Sequence, residues 1–238
     1  MHHDDTHWVL LSSRSLIALL AVAMLLAACG PRRIAIAPDE RSKLKEAPEI
    51  IAFRYPSAVL VVITEAFGPA TYETVVVKEE PLISLMESFL TAIKAELKLG
   101  NIRTLQEPRH HGPEYRFRLD YSSEREQDLI QIRRTFQTGL VFDFDRDGIV
   151  FELDPSAHPR TIDLITNGKA HYRVHVWAKA SLIRVSEQKI LWQGVCDITD
   201  GGLTRDDFRQ PNNPLVQEKL DTAIKACAQE LTAQFLGK

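Results

Sequence analysis

Asp143-Phe144-Asp145-Arg146-Asp147-Gly148 is the densest set of potential ligands in the chain. Three carboxylates at alternate positions before a glycine match the first half of a calcium loop, where the glycine permits the sharp turn. The twelfth place of such a loop holds a bidentate glutamate; here it holds the shorter Asp154. The flanking residues also have strand composition, not helix composition. A second reading therefore puts Asp143 and Asp145 on the solvent face of a strand and Phe142 and Phe144 inside, with a bulge nearby. Asp147-Gly148 is then ordinary turn chemistry. The strand-like flanks favour this second reading, and a bound calcium is the exception to it.

The histidines do not assemble a metal site. His171 and His175 share a strand face, but four residues of extended chain span about 13 Å. His110-His111 and His158 fall in loops. Asp200-Gly201-Gly202 reads as a turn, with Thr204 capping a short helix at Arg205-Asp206-Asp207. No phosphate-binding glycine loop, serine nucleophile elbow or zinc-protease helix motif is present. The expectation is a protein without catalysis and without a cofactor.

The elements that would position these residues follow from periodicity. Ala58 to Thr64 is a continuous β-branched run, and Thr71 to Val77 has strand composition and can pair with it. A helix opens near Pro81 and closes at Gly100, with Leu82, Leu85, Met86, Phe89, Ile93 and Leu97 as its inner stripe. Ile102 to Leu105 is a weak strand, residues 106–114 a loop, and Tyr115 to Leu119 an alternating strand. Ser123 and Glu126 form a capping box for a second helix whose stripe is Leu129, Ile132 and Phe136.

Leu140–Phe144 and Ile149–Leu153 then flank Arg146-Asp147-Gly148 as a hairpin. Tyr172 to Trp177 is a strand, and Ser181–Val185 with Ile190–Cys196 a further hairpin. Asn213-Pro214 caps a last helix reaching Leu236, with Val216, Leu220, Ile224, Cys227, Leu231 and Phe235 inside. This order predicts a single-domain α/β sandwich: a mixed, largely antiparallel sheet with two or three packed helices.

Three cysteines set the compartment. Cys29 ends Leu26-Ala27-Ala28-Cys29-Gly30, directly after an apolar run beginning near Leu16. That run is too short to span a bilayer, which needs about 20 apolar residues, and its small-residue end reads as a cleavage site. The stretch resembles a bacterial lipobox, in which the cysteine thiol is lipidated and becomes the new N-terminus. The resemblance implies a signal peptide over residues 1–28, palmitate on the lipidated Cys29, and a domain in the periplasm. By analogy with the enterobacterial sorting rule, Gly30 after Cys29 implies the outer membrane of a Gram-negative cell. Residues 29–48, with Pro31, Pro38 and Pro48 around a charged stretch, are expected to be a flexible tether to a domain at 49–238.

Cleavage before Cys29 leaves 210 of the 238 residues, with 28 basic against 30 acidic, a net −2. No basic excess draws nucleic acid. With Cys29 assigned to lipid, Cys196 and Cys227 remain as an even number for an oxidising compartment. A bridge between them closes about 30 residues, which the chain-entropy estimate values at roughly 3–4 kcal/mol. The other reading is two separate buried thiols.

The segment Tyr172 to Cys196, closing on Leu191-Trp192-Gln193-Gly194, is similar to the closing hairpin of small α/β envelope lipoproteins. Among these are the curli-secretion lipoprotein and activators of penicillin-binding proteins. That similarity implies an accessory role in envelope assembly, transport or partner activation and carries over no catalytic residue. The exposed faces of Arg116/Arg118 and of His171/Arg173/His175 are the expected partner contacts. The alternative is a calcium- or ligand-binding envelope hydrolase centred on Asp143, Asp145 and Asp147; a third possibility is a subunit of a larger secretion complex.

Overall fold

A 14-residue strand, His171–Arg184, organises the sheet. The computed structural model describes residues 33–54, 59–63, 71–74, 81–105, 130, 132–134, 136–137, 139–145, 149–154, 171–208 and 210–238. In chain order these give α1 (Pro38–Lys43), β1 (Ile50–Arg54), β2 (Val59–Ile63), β3 (Thr71–Thr74) and α2 (Pro81–Leu97). Then follow β4 (Ile102–Leu105), β5 (Leu140–Asp145), β6 (Ile149–Leu153), β7 (His171–Arg184), β8 (Lys189–Thr204), α3 (Arg205–Phe208) and α4 (Pro214–Leu236). The fold class is the expected one: a mixed, largely antiparallel eight-stranded sheet with helices packed on it.

Along one edge β7 pairs with β8 for its whole length. Along the other it pairs first with β6, at Tyr172 to Val176, and then with β5, at Lys179 to Arg184. Two parallel branches extend from there. β5 leads to β1 and β4, and β6 leads to β2, with β3 antiparallel beyond it.

This arrangement corrects the hairpin expected across Arg146-Asp147-Gly148. β5 and β6 do not pair with each other; both run antiparallel to β7, one after the other. The partners step from Asp145↔Lys179 to Ile149↔Val176, so the two strands follow one another along the same edge of β7. The same correction applies to Asp200-Gly201-Gly202, expected as a turn. It lies within β8, where Gly201 and Gly202 together oppose Arg173 between the pairs Tyr172↔Leu203 and Val174↔Asp200. Gly202 has φ +94°, which a side chain would strain. Cys196 accordingly sits in mid-strand, not at a strand end, and the two strands expected at Tyr172–Trp177 and Ser181–Val185 are one.

The inner face is built from alternate residues. Tyr172, Val174, Val176, Ala178, Ala180 and Leu182 of β7 point under the helices with Phe142 and Phe144 of β5. Both phenylalanines therefore face inward by simple alternation. The α2 stripe Leu82, Leu85, Met86, Phe89 and Ile93 and the α4 stripe Val216, Leu220, Ile224, Cys227, Leu231 and Phe235 meet them, fully buried. Asn213 caps α4, its side-chain oxygen accepting from Leu215 N–H at 2.9 Å. Helix α2 ends at Leu97, three residues before Gly100, and Lys98 takes the left-handed conformation there. On the other face a smaller cluster of Ile132, Val141, Ile183 and Val185 forms. Ile132 is helical, as are Ile130, Arg133, Arg134 and Phe136. The strand at Tyr115–Leu119, the capping box and Leu129 lie outside the described residues.

Trp192 is the centre of the main core. Its ring stacks on Phe89 with centroids 5.6 Å apart and meets Phe235 edge-on at 4.9 Å. Gly194, two residues on and so on the same face, makes room for it. A β-carbon there would stand 2.4 Å from Trp192 Cζ2 and 3.0 Å from Leu231 Cδ2.

Residues 33–48 are not a flexible tether. Arg33 to Lys238 form one compact unit, and Ile36 and Leu44 are buried in the main core. Ile34 exchanges both backbone hydrogen bonds with Gln193 on the β8 edge, 2.9 Å each. Arg41 Nη1 donates to Leu236 O at 2.8 Å, Asn101 Nδ2 donates to Leu44 O at 3.1 Å, and Glu40 pairs with Arg184. The Glu40 hydrogen bond is the main reason that Arg184 holds its proton more tightly than usual. Proline and charge signalled a linker; three apolar anchors and these polar ties outweigh them.

Gly194→Ala is expected to destabilise the fold by about 1–3 kcal/mol, because the rigid indole cannot yield to the added methyl. Urea unfolding followed by tryptophan fluorescence measures it, and an unchanged midpoint would contradict this packing.

Candidate functional site

Opposite the helices, the middle of the sheet carries a polar face that β6, β7 and β8 build together. Alternation places Arg173, His175, Trp177 and Lys179 on the side of β7 away from the core, each half-buried. Glu152 of β6 stands directly across from Arg173. Asp197 of β8 stands across from Trp177 and diagonal to His175.

These side chains join into one chain of charge. Arg173 Nε and Nη2 both donate to Glu152 Oε1, at 2.8 and 2.5 Å. His175 Nδ1 lies 3.4 Å from the same oxygen, and its Nε2 lies 2.8 Å from Asp197 Oδ1. Two carboxylates, a guanidinium and an imidazole thus alternate across three strands. Arg173, Glu152 and His175 are about 30% exposed, Asp197 more so at 68%. Ions this wet stabilise little, so the network's main property is a fixed pattern of donors and acceptors at the surface. It contains no nucleophile poised beside a base.

Of the expected partner residues, Arg173 and His175 fall in this network, and His171 lies on the same strand face at its end. Arg116 and Arg118 lie outside the described residues. Glu152 and Asp197 were not anticipated; alternation within their strands could have marked them as outward, but not what they face.

Asp143 and Asp145 both lie in β5. Asp143 is buried opposite Ser181, and Asp145 takes the register position opposite Lys179. Asp147 lies outside the described residues. Among the described residues no three histidine, cysteine or acidic side chains converge as a metal-binding group.

Cys196 and Cys227 are joined, their Cα atoms 5.3 Å apart and 31 residues apart in sequence. The bridge fastens β8 to α4 inside the core. Two helical turns later, Gln234 completes the same junction. Its Nε2 donates to Val195 O at 2.8 Å, and Val195 N–H donates to its Oε1 at 3.1 Å. A side-chain amide here does what a neighbouring strand would do for an edge. Cys29 lies outside the described residues. Among the described residues, no helix is long and apolar enough to cross a membrane.

No family model and no curated protein sequence matches the chain. Among solved structures it is similar to a Xanthomonas campestris protein of the DUF330 family model, at 9% identity over 84% of this chain and 88% of that one, with a TM-score of 0.40. It is also similar to the PelC dodecamer of Paraburkholderia phytofirmans, at 10% identity over 82% and 93%, with a TM-score of 0.29. A third is lipoprotein GNA1162 of Neisseria meningitidis, at 13% identity over 75% and 97%, with a TM-score of 0.25. Likeness this distant assigns neither family nor role.

Two outcomes are expected of this face. Glu152→Gln should cost less than about 1 kcal/mol in urea unfolding, since the ions it pairs are well solvated. Calorimetric titration with calcium should give no saturable heat; a saturable isotherm that Asp145→Ala abolishes would restore the calcium reading.

Proposed function

We propose that the protein is a lipid-anchored periplasmic accessory of the cell envelope. It serves assembly, transport or partner activation without performing catalysis, and its thioether-linked lipid holds it to the outer membrane. The single observation that carries the reading is the distribution of its three cysteines. Two are joined within the folded domain, as suits an oxidising compartment. The third, Cys29, stands alone at the end of an apolar run and after two alanines. Two or more acyl chains on that residue anchor a protein stably, each buried methylene contributing about 0.8 kcal/mol. Gly30 in the following position supports the outer membrane over the inner.

Within that role the Glu152–Arg173–His175–Asp197 face is the partner contact. It offers fixed donors and acceptors on a rigid sheet, which favours specificity over raw affinity. Lysates crosslinked in intact cells and captured through this protein identify the partner.

Wild-type protein should take up radiolabelled palmitate and sediment with membranes, and Cys29→Ala should lose the label and enter the soluble fraction. Sedimentation of Cys29→Ala with membranes would refute the anchor. Cys227→Ser should cost about 2–4 kcal/mol through the longer unfolded-state loop it releases. Intact mass of the envelope-derived protein under non-reducing conditions checks the pairing, with free thiol at Cys196 counting against it.

A further inference from the structure

The described part of the domain reaches back to within a few residues of Cys29. Ile34 is held to Gln193 by two backbone hydrogen bonds and stands five residues after Cys29. Arg33, one residue closer, pairs with Glu230 of α4 at 2.8 Å. Five residues of fully extended chain reach at most about 18 Å. Part of that length is used before the chain clears the headgroups, because the lipid on Cys29 sits beneath them.

The sheet is wider than this leash. From β8, the positions run through β7, then β5 and β6, then β1 and β2, to β4 and β3 at the far edge. Four strand spacings make about 19 Å, before the side chains of the far edge are added. Were the far edge turned down to the membrane, Ile34 would stand higher than the chain from Cys29 can reach. The orientation with the far edge down and β8 uppermost is therefore closed to the anchored domain.

Charge on the leash agrees with that placement. Arg32 and Arg33 fall within four residues of the lipid, and the Arg33 side chain is 63% exposed despite its pairing. Arginine offers a planar fork of donors that suits phosphate oxygens. The β8 edge is also closed against strand addition at this point, by Ile34 at Gln193 and by Gln234 at Val195.

We infer that the domain rests with its β8 side, where Arg33, Ile34 and Gln234 cover the Gln193–Val195 edge, and with the Glu230–Gln234 side of α4 against the phospholipid headgroups of the membrane that holds Cys29. The β3 and β4 edges point away from that membrane, and the Glu152–Arg173–His175–Asp197 face stands upright beside it. This rests on the lipid attachment proposed above.

Carboxyl footprinting by mass spectrometry tests it. Glu230 and Glu49 are each paired to an arginine in the fold, the first on the inferred contact side, the second beside β4. The lipidated protein in vesicles of phosphatidylethanolamine and phosphatidylglycerol is compared with the Cys29→Ala protein mixed with the same vesicles. Glu230 should label several-fold more slowly in the anchored protein and Glu49 at an unchanged rate. Inserting a Gly-Ser linker of about 20 residues between Pro31 and Arg32, with an r.m.s. span of about 25 Å, should restore Glu230 labelling without releasing the protein. Equal labelling of Glu230 in the two proteins, with lipid on Cys29 verified by mass, would overturn the orientation and leave the anchor standing. Absence of lipid from Cys29 would remove both together.

Discussion

The junction of β8 with α4 is the constraint on which the rest of this structure depends. Within five residues of β8, three different forces act on the same pair of elements. Trp192 lies over Gly194 and against Phe235, Val195 exchanges hydrogen bonds with Gln234, and Cys196 is bridged to Cys227. Aromatic packing supplies most of the burial, since a large ring removes 150–250 Å² from water. The amide pair satisfies backbone groups that an edge strand would otherwise leave open. The bridge limits how far the two elements separate when the others fluctuate. Because β7 pairs with β8 along its full length, fixing β8 fixes β7, and through β7 both branches of the sheet.

The helices were legible because their stripes repeat over many turns. Each residue of the α2 and α4 faces repeats the same information, and the N-cap at Asn213 needs only its own neighbours. The two Asp-Gly and Gly-Gly signals were legible as chemistry but not as topology. Glycine with positive φ serves a tight turn and a bulge equally well. Which of the two forms is decided by β7, more than 20 residues away from either β5 or the start of β6. No local pattern contains that choice. The N-terminal segment failed for a different reason. Its composition is a linker's, and Ile34, Ile36 and Leu44 are too few to give a period; only the finished surface of β8 and α4 shows where they go. Strand β1, five residues between two parallel partners, passed unnoticed on the same grounds.

The polar face was half visible. Alternation in Tyr172–Trp177 put Arg173 and His175 on one side, which required nothing beyond the two-residue period of a strand. Their partners Glu152 and Asp197 come from β6 and β8, whose register against β7 no local pattern contains. A one-residue slip of either strand would change which side chain faces His175.

Attachment at Cys29 would give the β8–α4 junction a mechanical meaning. Any pull on a domain so anchored would be resisted by the lipid and would pass through Arg33 and Ile34. Those residues are fastened to Glu230 on α4 and to Gln193 on β8, the two elements the bridge joins. Load entering at the edge strand alone would tend to peel it from β7 one hydrogen bond at a time. Shared between strand and helix, with a covalent link between the two, the same load meets the whole aromatic core at once. A stabilising cross-link at the point where force enters is worth more than the same link elsewhere. That is a physical reason for the cysteine pair to lie in β8 and α4, and not in the more distant branches of the sheet.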